Sequence, residues 1–162
     1  MSDLSMPFVR SGTIIVEASL ERVFPLLCPK REEEWIPGWQ CEVIASKSGC
    51  NEPGAIFRTT RPYATELIWF TVRYSRTEHV VEFVNHSPNL FVFHFLIDIA
   101  EPEPGRLVLT FTQRFTPVSG AGAALIDTYR GEDFAGRLKV LEELLRKAIA
   151  RTRAPGQPVG GG

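Results

Sequence analysis

The chain reads as an α+β protein, an antiparallel sheet with one long helix across a single face. Three observations predict it. Between Glu66 and Phe115, apolar and polar residues alternate with period two, and the segments are joined by short turns rather than by helical crossovers. On that parity Phe70, Phe83, Phe91, Phe93, Phe95, Phe111 and Phe115 share one side, while Thr71, Arg73, Glu82, His94, Asp98, Thr110, Thr112 and Arg114 take the other. Finally, apolar residues recur at three- and four-residue spacing from about Ala123 to Arg151.

The elements follow in order. Residues 1–9 are expected to be loose. Arg10 to Glu17 holds Ile14, Ile15 and Val16 and reads as a first strand. Ser19 is placed to cap a short helix, Leu20 to Leu27, which Pro29 stops. Lys30 to Trp35 reads as a second short helix, ended before Pro37-Gly38. Strands are expected over Cys41 to Ala45, Ala55 to Arg61, Glu66 to Arg76, His79 to Val84, Leu90 to Ala100 and Arg106 to Pro117. Gly49 to Gly54, Pro62 to Thr65, Asn85 to Asn89 and Glu101 to Gly105 form the connections. The two prolines of the last connection argue against strand interior. Ser119 to Gly122 reads as flexible, and a single helix then presents Ile126, Phe134, Leu138, Leu141, Leu145 and Ala148. Residues 10–151 are expected to form one domain, and 152–162 a disordered Pro/Gly-rich tail.

Composition narrows the partners. Net charge is −1 over 162 residues, which gives no electrostatic case for nucleic acid or an anionic membrane. No apolar run approaches the roughly 20 residues a membrane helix needs. The first residues lack a basic stretch followed by an apolar core, so a cytoplasmic location is expected. Cys28, Cys41 and Cys50 match no CxxC or zinc spacing and read as free thiols. His94 and Asp98 give two ligands at best on the outer face, so no metal is expected. No Gly-rich strand-to-helix turn suits a phosphate, and no cofactor is expected.

The sequence resembles the START-like, helix-grip superfamily, and within it the bacterial polyketide cyclase/dehydrase and lipid-transport proteins. The resemblance rests on Val16-Glu-Ala-Ser-Leu-Glu-Arg-Val-Phe24, Trp35-Ile-Pro-Gly-Trp39, Ile68-Trp-Phe-Thr-Val-Arg-Tyr74 and the terminal Arg137-Leu-Lys-Val-Leu-Glu-Glu-Leu-Leu145, and spans roughly Arg10 to Arg151. It implies a strongly curved seven-stranded sheet wrapped around the C-terminal helix, with an apolar pocket between them for a lipid, polyketide, quinone or other flat molecule. The superfamily includes carriers, cyclases and chaperone activators, so fold alone does not choose the chemistry.

The candidate ligand-binding residues are Phe70, Tyr74, Phe83, Phe91, Phe93, Phe95, Phe111, Gln113, Arg130 and Phe134. The rings suit a flat hydrophobic guest. Gln113, between two inward phenylalanines, needs a partner in backbone, water or ligand. Tyr74 would orient a carbonyl or sit at the rim. Arg130, with Asp133 and Arg137 at helical spacing, is either a solvated ion pair or an anchor for a carboxylate. Trp35 and Trp39 divide between bracing the short helices and lining an entrance. Glu32-Glu33-Glu34 reads as a solvated helix face, with Glu34 the one considered as an inward acid or base. Leu90, Val92 and Leu96 form an outer apolar strip that suits a homodimer contact or a covering loop. The leading expectation is a protein that binds a small hydrophobic or aromatic ligand. The alternatives are a cyclase/dehydratase-like enzyme, which an inward carboxylate of raised pKa would favour, and a protein-interaction module with a filled core.

Overall fold

The computed structural model describes residues 6–61 and 65–152. Of the stretches expected to be loose, 1–9 and 152–162, residues 1–5 and 153–162 lie outside the described residues, as does most of the Pro62–Thr65 connection, whereas Phe8 and Val9 already belong to the first strand. The chain runs β1 (Phe8–Glu17), α1 (Leu20–Val23) continuing into a 3-10 turn (Phe24–Leu26), a second 3-10 turn (Arg31–Glu34), β2 (Gln40–Ala45), β3 (Ile56–Arg61), β4 (Leu67–Ser75), β5 (Val80–Ser87), β6 (Phe91–Glu103), β7 (Arg106–Pro117), α2 (Gly120–Arg130) and α3 (Phe134–Arg151). The seven strands make one antiparallel sheet in the order β1-β7-β6-β5-β4-β3-β2. The first and second strands in sequence are thus its two edges. No helix among the described residues is long and apolar enough to cross a membrane.

Alternation holds without interruption along β7 and over most of β6. Phe91, Phe93, Ile97, Ile99, Leu107, Leu109, Phe111 and Phe115 are buried on the concave side. In β4 it does not hold. A bulge between Thr71 and Arg73 adds a residue opposite Phe83 and Glu82 of β5 and reverses the parity of the strand. Before the bulge Leu67, Trp69 and Thr71 face inward; after it Tyr74 does. Phe70 is therefore on the convex side, 44% exposed, and Thr71 is fully buried with its hydroxyl donating to Asn51 Oδ1 at 2.7 Å. Both reverse the sequence expectation, because strict period two assumes an unbroken ladder.

Three further boundaries differ. β5 continues through Asn85, which is buried rather than part of a turn. β6 reaches Glu103 across an irregular register after Ala100, which accommodates Pro102. Ser119 and Gly120 belong to an ordered helix start: Ser119 Oγ accepts from Gly122 N at 3.0 Å and donates to Asn89 O at 2.6 Å.

The expected single long helix is two. Gly131 ends α2, and Asp133 opens α3 by accepting from Gly136 N at 2.9 Å. α3 packs on β1 and α2 on β7. The α3 contact is close because Gly12 has no side chain: a Cβ there would stand 2.4 Å from Leu138 Cδ1. Glu142 and Arg146 of α3 also satisfy the edge of β1, Glu142 accepting from Ile15 N at 2.8 Å and Arg146 donating to Ile15 O at 3.2 Å.

The α2 start depends on a second small residue. A Cβ on Gly122 would lie 1.7 Å from the backbone oxygen of Leu90, whereas one on Gly120 meets nothing within 4 Å. Gly122→Ala is expected to lower stability in urea unfolding by about 1–3 kcal/mol or more, and Gly120→Ala to leave it nearly unchanged. Equal effects would show that the close packing at Leu90 is not what matters.

Candidate functional site

Because α3 is held against β1, it stands away from the middle of the sheet, and a cavity of about 160 Å³ remains between them. Its sheet wall is Trp69 of β4, Phe93, Phe95 and Ile97 of β6, and Phe111 and Gln113 of β7. Its helix wall is Phe134, Arg137, Leu138, Leu141 and Leu145, and the turns before β2 close one end with Leu27, Glu32, Trp35, Ile36 and Trp39. A smaller space of about 30 Å³, lined by Phe91, Phe115 and Tyr129 among others, shares Arg10, Phe93, Gln113 and Arg137 with it.

The rings are held rigidly. Phe93 stacks on Phe115 with centroids 4.4 Å apart and planes 1° from parallel, and Phe95 stacks on Phe93 at 5.6 Å. All three tryptophans of the chain line the cavity. Each indole N–H is bonded within the protein: Trp35 to Leu26 O at 3.2 Å, Trp39 to Pro29 O at 2.7 Å and Trp69 to Thr59 Oγ1 at 2.8 Å. The indoles are thereby anchored at their polar atoms and offer apolar surface to the cavity.

Arg10 enters from β1 and is paired many times over. Its Nε donates to Gln113 Oε1 at 2.7 Å, and its Nη1 donates to Tyr129 O at 3.3 Å and Glu132 Oε2 at 3.1 Å. Its guanidinium lies 4.4 Å from the Phe134 ring centre. Glu132 stands in the break between α2 and α3 and also accepts from Arg137. The interruption of the helix thus delivers a carboxylate to two arginines at one side of the cavity.

Glu32 is different. A 3-10 turn has 3.0 residues per turn, so three consecutive residues point in three directions and Glu32 lies above Trp35. Glu33 accepts from Cys41 N at 2.8 Å and pairs with Lys30 at 2.9 Å, and Glu34 pairs with Arg31 at 2.8 Å. Glu32 lines the cavity, and no described hydrogen bond or ion pair reaches its carboxyl group. The residue is half-buried, and the partial loss of water around its carboxyl, with no compensating charge among the described residues, pushes it up to about 8. The neighbouring Cys41 thiol is pushed up to about 12, first by its own burial and then by the Glu32 and Glu33 carboxylates.

No protein-family model matches the chain, and no curated protein sequence does. Solved structures do match. Norcoclaurine synthase from Thalictrum flavum, in complex with dopamine and hydroxybenzaldehyde, superposes with a TM-score of 0.68 over 93% of this chain and 90% of that one, at 13% identity. An aromatase/cyclase from a Streptomyces species gives 0.68 over 93% and 99%, also at 13% identity. The chain has the START-like, helix-grip fold. A START superfamily protein from Mycobacterium smegmatis matches it too, with a TM-score of 0.62 over 86% and 97% of the two chains at 16% identity. At these identities the likeness is one of fold, and the site has to be read from its own residues.

In this helix-grip frame the expected site residues separate. Phe93, Phe95, Phe111, Gln113 and Phe134 line the main cavity, and Phe91 lines the smaller one. Phe83 is buried behind Trp69, edge-on at 5.1 Å, and reaches neither. Tyr74 donates from its hydroxyl to Phe24 O at 3.0 Å and stacks on Phe24 at 4.3 Å. Burial pushes its phenol up to about 12, so it is a brace rather than a contact for a guest. Phe70 faces away. Arg130 does too: it pairs with Asp127 at 3.3 Å and lies over Phe8, outside the cavity. Arg10 and Arg137 occupy the position expected of it. Sequence reasoning missed Arg10, Glu32 and Trp69. Arg10 shares parity with Ile14 and Val16, and Glu32 is three residues before a buried tryptophan; those were the available signals.

The carboxyl of Glu32 links stability to pH. Folded, it keeps its proton up to about pH 8; unfolded, it releases it in the ordinary carboxylate range near pH 4–5. The folded state therefore binds the extra proton between these limits. The contribution to stability is full below that range and is lost as pH rises through about 8. Relative to Glu32→Gln, the natural protein is expected to lose on the order of 2–4 kcal/mol between about pH 4.5 and 8.5, read by urea unfolding. A constant difference across that range would show that Glu32 titrates normally.

Proposed function

We propose that the chain binds a compact hydrophobic or aromatic molecule in the space between the sheet and α3. The observation that carries this reading is the cavity of about 160 Å³ walled by three anchored tryptophans and a stack of phenylalanines. Cavities of about 150 Å³ lined by apolar residues take up benzene, whereas pockets for larger ligands run to roughly 300–1,000 Å³. A single-ring guest fits the space as it stands, and a multi-ring polyketide or a lipid requires it to widen. The fold likeness to a synthase solved with two single-ring compounds supports the same size class.

The tryptophans supply the assay. Ring compounds such as ethylbenzene or indole are expected to change the intrinsic fluorescence and to raise the melting temperature, since a ligand at 100 times its Kd adds about 2.7 kcal/mol. Leu141→Phe, which places a ring in the cavity, is expected to remove both responses while keeping the far-UV circular dichroism. No response to any ring compound would overturn the reading.

A second reading is favoured by one observation, the Glu32 carboxyl lining the cavity with no partner among the described residues, where partial burial pushes it up to about 8. Such a group suits general acid–base work of the cyclase or dehydratase kind. It would take a proton from the carbon beside a carbonyl, or give one to a hydroxyl that leaves as water. The natural protein is then expected to speed deuterium uptake from D₂O into the methyl group of acetophenone, followed by proton NMR, and Glu32→Gln to fall to the buffer rate. A rate equal to buffer with the natural protein would leave ligand binding alone.

A further inference from the structure

The polar groups that reach the cavity specify more than its size. Among the described residues three charged side chains line it: Arg10, Arg137 and Glu32. The two arginines already share Glu132, and Arg10 is further committed to Gln113 and to the carbonyl of Tyr129. Glu32 has no such partner. On its own turn Lys30 is taken by Glu33 and Arg31 by Glu34. From β2 it faces Cys41, whose thiol is neutral. Glu32 is half-buried, and a carboxylate left unpaired there beside Trp35, Ile36 and Trp39 loses part of its hydration, which favours the protonated form and its O–H. Gln113 adds to the same character. With Oε1 occupied by Arg10, its Nε2 keeps two hydrogens that no described residue accepts. The cavity thus offers a guest hydrogen-bond donors set among rings. An incoming carboxylate would have to share arginines that Glu132 already holds, and would shed its hydration in a largely apolar space.

Resting on the ring-binding reading above, we infer that the preferred guest is a neutral single-ring compound bearing a carbonyl or phenolic oxygen, and that this oxygen is received by the Glu32 carboxyl. Affinity for such a guest falls when Glu32 ionises, because the donor is lost and a charge meets the acceptor's lone pairs. A ring without an acceptor feels no such change.

The test uses three probes of similar shape with the full chain: acetophenone, ethylbenzene and benzoate, titrated by protein NMR at about pH 6.5 and 9.5. Acetophenone is expected to bind about three- to tenfold tighter than ethylbenzene at the lower pH, the scale of one net hydrogen bond. It should lose that advantage at the higher pH, and benzoate should be the weakest of the three at both. Glu32→Gln keeps an N–H donor and is expected to bind acetophenone with no pH dependence. Should that variant not fold, the acetophenone-to-ethylbenzene ratio of the natural protein at the two pH values decides alone. Ethylbenzene binding as well as acetophenone at both values would leave the ring cavity standing and overturn this inference. Benzoate binding tightest would overturn it in favour of an anchor at Arg10. Binding of none would remove the ring-binding reading together with it.

Discussion

The docking of α3 on β1 is the contact on which the rest of the structure depends. Gly12 removes the side chain that would hold the helix off, and Leu138 fills the space it leaves. Glu142 and Arg146 then saturate the amide and carbonyl of Ile15 on the sheet edge. A helix fixed so closely to one edge strand is not free to settle into the middle of a seven-stranded sheet. The inner rings of β4, β6 and β7 meet it only across a gap, and the gap is the cavity. Packing elsewhere is dense: Val16, Val23, Val81, Leu107 and Leu109 are fully buried.

The electrostatics of the cavity follow from two breaks in regular structure. The interruption between α2 and α3 brings Glu132 to Arg10 and Arg137, so those cations are compensated. The 3-10 turn before β2 sends three adjacent glutamates in three directions and leaves Glu32 without a counter-charge among the described residues. Arg10 and Glu132 form a part-buried pair that ties β1 to the break between α2 and α3, so they have a structural stake that is separate from any guest. Among the described residues the Glu32 carboxyl holds no other side chain in place, and that separates a positioning network from a group available for recognition or proton transfer.

Much of this was legible in the sequence where local pattern and tertiary outcome agree. β7 was bounded at both ends, and its inward Phe111, Gln113 and Phe115 follow from simple alternation. Phe93 and Phe95 of β6 follow in the same way. Strict alternation would put Phe70 and Tyr74 on one side, but one bulged residue at Thr71–Arg73 separates them, and nothing in that run of amino acids announces a bulge. Helical spacing from Ala123 to Arg151 continues across Gly131 to Asp133, so periodicity alone joined two helices that a glycine and a capping aspartate divide.

What the sequence by itself determined is the order of elements, the antiparallel α+β class and the ring-rich inner face, because these depend on side-chain period and on residues that stop or start local structure. Only the tertiary structure decided which charges reach the cavity. Arg10 and Arg130 are both arginines near apolar residues in the chain, and Glu32, Glu33 and Glu34 are chemically the same. Their roles diverge because distance to a partner, and the presence or absence of water around each carboxyl group, are set by elements far apart in sequence.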